Sequence, residues 1–86
     1  MSTTPDDIRR YLRTAREKGS THVIVVCDTY DWEDFPVYVT AATAEDLRKK
    51  LTECSGSMQK VMEVYAMHLP LEPQVAERRA YHVEMP

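Results

Sequence analysis

The residues of this chain best equipped for chemistry lie between Val23 and Val39, VIVVCDTYDWEDFPVYV, where Asp28, Asp31, Glu33 and Asp34 are interleaved with Tyr30, Trp32 and Phe35 and no basic residue intervenes. Carboxylates so placed can hold a hard cation, move a proton or meet a basic surface. An EF-hand needs oxygen ligands at alternate positions and a glycine at the sixth, but Tyr30 and Trp32 occupy the alternate places after Asp28 and the stretch has no glycine. Cys27, Cys54, His22, His68 and His82 fall into no C-x-x-C or H-x-x-x-H spacing, so no zinc motif is present and the thiols read as buried. Catalysis finds no local constellation either. Asp28 follows Cys27 directly and points to the opposite face of a strand, and no Gly-rich turn shapes a pocket around Asp31 and Glu33. The expectation is therefore no catalytic residue, no metal and no cofactor. What remains is recognition: Asp28, Tyr30, Asp31, Trp32, Glu33 and Asp34 as a partner-binding set in which charges steer and rings anchor. The competing reading has Trp32 and Phe35 folding back to close the core.

A second group has the opposite sign. Arg9, Arg10, Arg13 and Arg16, with Lys49 and Lys50 further on, offer an alternative nucleic-acid contact. The net charge of -3 and the acidic loop oppose phosphate binding, so nucleic acid is the less favoured partner and a solvated helix face the plainer meaning.

These groups need a scaffold. Thr4 as cap, Pro5 at the first helical position and Asp6 and Asp7 at the positive end of the dipole start a helix. Ile8, Tyr11, Leu12 and Ala15 give it one apolar face and Gly19 ends it, so it spans about Pro5 to Lys18. β-Branched Val23 to Val26 and Pro36 to Val39 make a hairpin around the loop from Asp28 to Phe35. The first strand is apolar on both faces, which places it centrally, and Pro36 marks an edge. Thr43 and Asp46 form a near capping box that opens a second helix, with Ala44, Leu47, Leu51 and Cys54 on one side. Met58 to Leu69 fits either period. A strand is preferred, because a lone hairpin is marginal in water. Residues from Glu72 to Arg79 allow one or two helical turns, and alternating Tyr81, Val83 and Met85 suggest a fourth strand.

The chain of 86 residues suits one α+β domain, order α-β-β-α-β-β after the short helix is set aside, with an antiparallel sheet of about four strands and two helices packed on one face. At 43% hydrophobic and 29% charged residues its composition is that of a folded globular protein. No apolar run approaches the ~20 residues of a membrane span and no signal peptide is visible, so a cytoplasmic setting is expected. Sheet edges beside Pro36 or at the C-terminal strand can pair two copies as a homodimer.

CDTYDWEDFPVYV, the later MQKVMEVYAM and the closing RAYHV resemble a group of short proteins encoded by bacteriophages, prophages and other mobile elements of bacteria. The resemblance covers most of Val23 to Val83. It implies a bacterial host cell as the setting. By analogy of size and charge it implies an anti-CRISPR inhibitor, whose partner is a Cas effector subunit and whose effect is to block nucleic-acid access.

Overall fold

In a computed structural model, which describes residues 3–86, the chain forms three helices and a three-stranded antiparallel sheet. Helix α1, Pro5–Lys18, starts where the sequence indicates: the Thr4 hydroxyl accepts the Asp7 N–H and the Asp7 carboxylate accepts the Thr4 N–H. Gly19, at φ 71°, ends it in the left-handed conformation that glycine adopts without a Cβ penalty. A hairpin follows, β1 (His22–Asp28) and β2 (Glu33–Val39), then α2 (Ala44–Cys54), β3 (Gln59–Ala66) and the short α3 (Leu71–Ala76). The segment that fits either period is thus a strand.

Strand β1 lies between β2 and β3 and is buried from His22 to Cys27. Its alternating side chains serve two separate cores. Val23 and Val25 pack with Ile8, Leu12 and Ala15 of α1 and Val75 of α3, while Ile24 and Val26 pack with Leu47 and Cys54 of α2. Each such side chain contributes roughly 1.5–3 kcal/mol by leaving water. This corrects the expectation of helices on one face: a central strand apolar on both sides needs cover on both, and α1 and α2 supply it from opposite sides.

The fourth strand is also corrected. The C-terminal segment touches the sheet at one parallel bridge, Tyr81 with Val64, made by Val64 N–H to Ala80 C=O and His82 N–H to Val64 C=O, both 2.9 Å. Val83 and Met85 alternate because they pack onto the α2 core, and no ladder extends beyond Tyr81. The chain veers toward β1, where the buried His22 ring meets the Glu84 carbonyl through Nε2 at 3.0 Å. That carbonyl can only accept, so the neutral ring carries its proton on Nε2.

One side chain completes the same edge of β3. Gln74, 2% exposed, accepts the Ala66 N–H and donates to the Ala66 and Pro70 carbonyls, each at 2.9 Å. Its amide thus replaces the peptide group of an absent neighbouring strand.

Candidate functional site

Strands β1 and β2 are joined by residues 29–32 alone, so Asp28 belongs to β1 while Glu33 and Asp34 belong to β2. The turn is held by its own aspartates. Asp28 Oδ1 accepts the Tyr30 N–H at 2.8 Å and Asp31 Oδ1 accepts the Glu33 N–H at 3.1 Å, the side-chain-to-backbone pattern by which aspartate organises turns. The Trp32 N–H closes the reversal on the Asp28 carbonyl at 2.7 Å. With its amides engaged in this way the tip displays its rings: Tyr30 is 79% exposed and Trp32 62%. Phe35 takes the other course and packs on the α2 core. The rings therefore divide, Phe35 closing the core and Trp32 facing water.

Met58 joins the tip from the turn that precedes β3. Its carbonyl accepts the Thr29 N–H at 2.8 Å and its side chain is 50% exposed. Trp32 at φ 60° and Met58 at φ 66° are the non-glycine residues with positive φ among those described, and both lie at this end of the sheet. Such a conformation costs on the order of 1–3 kcal/mol for a bulky side chain, and it recurs at functional positions. Sequence reasoning missed Met58, since Ser55, Gly56 and Ser57 before it read only as a helix stop. Met62 is exposed too, at a bulge where β3 slips from Glu63 opposite Val25 to Val61 opposite Val26.

Asp34 leaves the displayed group. Half-buried, it lies opposite Cys27 in the pairing and accepts the Thr3 hydroxyl. Burial, and then the Asp34 hydrogen bond, push the Cys27 thiol up, while burial alone leads for Cys54. Both thiols are thereby held away from the nucleophilic thiolate. Glu63 is pushed up by burial and by Asp34, and Tyr65 by burial and by Glu63. Among the described residues no group of three or more histidine, cysteine or carboxylate side chains converges as a metal site would require.

The four arginines of α1 separate into two kinds. Arg9 is held between Asp6 at 3.0 Å and Glu72 at 3.1 Å, and Arg10 by Asp7 at 3.2 Å while lying over the Tyr11 ring. Arg13 and Arg16 are exposed and make no ion pair among the described residues.

No described helix is long and apolar enough to cross a membrane. Comparison with family models, with curated proteins and with solved structures finds no match for this chain.

Proposed function

We propose that this chain is a non-enzymatic binding protein that inhibits a bacterial defence complex of CRISPR–Cas type, entering the nucleic-acid groove of a Cas effector subunit with its hairpin tip. The observation that carries this reading is the outward display of Tyr30 and Trp32 on a turn ringed by Asp28, Asp31 and Glu33. Large rings on a preorganised turn anchor a protein interface at low entropic cost, and surrounding carboxylates steer it toward a basic partner. A groove built for phosphates offers the complementary charge. The choice of a CRISPR–Cas partner rests on analogy of size, charge and mobile-element origin, of which only the origin comes from the resemblance carried by CDTYDWEDFPVYV. The nucleic-acid reading of Arg9, Arg10, Arg13 and Arg16 has less behind it, because ion pairs already engage Arg9 and Arg10 and leave Arg13 and Arg16 to contact phosphate.

The test is target-DNA binding by guide-loaded Cas effectors of several types, with and without this protein. At least one effector should lose DNA binding in its presence. The triple variant Trp32→Ala, Asp31→Lys, Glu33→Lys should restore that binding while keeping the wild-type circular dichroism spectrum. Inhibition that survives the triple variant, or no inhibition of any effector, ends the proposal.

A further inference from the structure

At the far end of the sheet from the tip, α1 and the connection from β3 to α3 flank an open surface groove of about 490 Å³. Leu12, Met67, Leu69 and Leu71 make its walls apolar. Its one carboxylate, Glu72, is paired with Arg9 at 3.1 Å, and Arg13 and Arg16 stand at it with no ion pair among the described residues, so the groove keeps a net positive charge. The tip carries the complementary set, exposed rings beside carboxylates. The two lie at opposite ends of β1: the groove follows Ala66, which pairs with His22, and the tip follows Asp28. Seven residues of strand separate them by roughly 20 Å at the usual rise. A chain's own tip therefore cannot fill its own groove.

From this complementarity we infer that the groove receives the hairpin tip of a second copy of this chain, Trp32 entering among the leucines while Asp31 and Glu33 pair with Arg13 and Arg16. The contact is head-to-tail. Each copy offers one tip and one groove, so association continues copy by copy into a ring or an open row. It rests on the reading of the tip as a binding element and adds a regulation of it, since a tip seated in another copy is withheld from any other partner. A single turn in a single groove buries less than about 1,200 Å², which places the contact among weak, concentration-dependent ones.

Sedimentation equilibrium across a concentration series, with the emission of the chain's one tryptophan as a second readout, tests this. Expected in about 0.02 M salt are a mass that rises with concentration and a Trp32 emission that shifts to the blue; about 0.5 M salt should return the monomer. The groove variant Arg13→Glu/Arg16→Glu and the tip variant Asp31→Lys/Glu33→Lys should each lose association by at least about tenfold. Mixed one to one they should recover it, because each tip then meets a groove of opposite charge, and recovery also shows that both variants are folded. A wild-type chain that stays monomeric to about millimolar concentration overturns the inference, and the groove then belongs to a partner of another kind. So does association that survives the groove variant or is not restored by mixing. The groove variant keeps its tip, so its Cas inhibition should persist. A wild-type chain that inhibits an effector but stays monomeric refutes only this inference, and one that self-associates but inhibits no effector refutes only the function proposed above.

Discussion

Two connections turn the chain at opposite ends of one sheet, and they satisfy their backbones in opposite ways. The turn at residues 29–32 uses two short aspartate side chains that reach two residues ahead, which leaves every large side chain in it facing water. The connection from β3 to α3 uses one long amide, Gln74, buried and bonded across eight residues of sequence to Ala66. Local bonds permit display, whereas a buried polar plug requires closure, because an amide taken from water must find all its partners inside. One turn is thus arranged to be seen, and the other keeps its backbone sealed beneath the groove it borders.

The sharpest way to break this contrast is Gln74→Leu. It strands the N–H and C=O of Ala66 in the interior and should cost about 3 kcal/mol in chemical denaturation. A loss below about 1 kcal/mol would mean that the edge finds other partners and that the plug is not needed. Met58→Gly tests the opposite end with the opposite sign. Glycine takes φ 66° freely, so the variant should gain up to about 1 kcal/mol, and a loss would remove backbone strain from the description of the tip. The smallest effect concerns the C-terminal segment that borders the closed edge. His82 is raised by its hydrogen bond to Glu77, so its contribution is fully present below the unfolded pKa of about 6.5 and fades as pH rises through the higher folded value. His22 is lowered by burial, so its contribution is present above about 6.5 and fades as pH falls through the lower folded value. His82→Ala should therefore lower the melting temperature by a few degrees more at pH 5.5 than at pH 8. An equal drop at both would show that Glu77 does not hold the ring's proton.

Much of the scaffold was legible because local chemistry decides it. Thr4, Pro5 and Gly19 bound α1, and Thr43 with Asp46 opens α2 through a reciprocal cap. The run from Val23 to Val26 announced a central strand, yet its further implication, a helix on each side, needed the geometry to become plain. At the C-terminus the alternation of Tyr81, Val83 and Met85 is real, but period two reports which side is buried and not whether a neighbour is hydrogen-bonded. Gln74 and Met58 were invisible for the same reason: their roles depend on which backbone atoms lie across from them, Ala66 and Thr29 respectively. At the tip the residue types were readable, while the division between Trp32 outside and Phe35 inside followed only from the position of β2 over α2.

Strand β2 is one of the two edges of the sheet, and its Pro36 sits opposite Val25 in mid-ladder. A proline survives there only with its nitrogen turned away from the strand it pairs with, which leaves a gap in the row of donors that a newcomer would have to match. Acidic Glu33 and Asp34 stand on the same margin. Fibre-like stacking through this flank is thereby discouraged, and a sideways zipper of sheets would have to start elsewhere on the molecule.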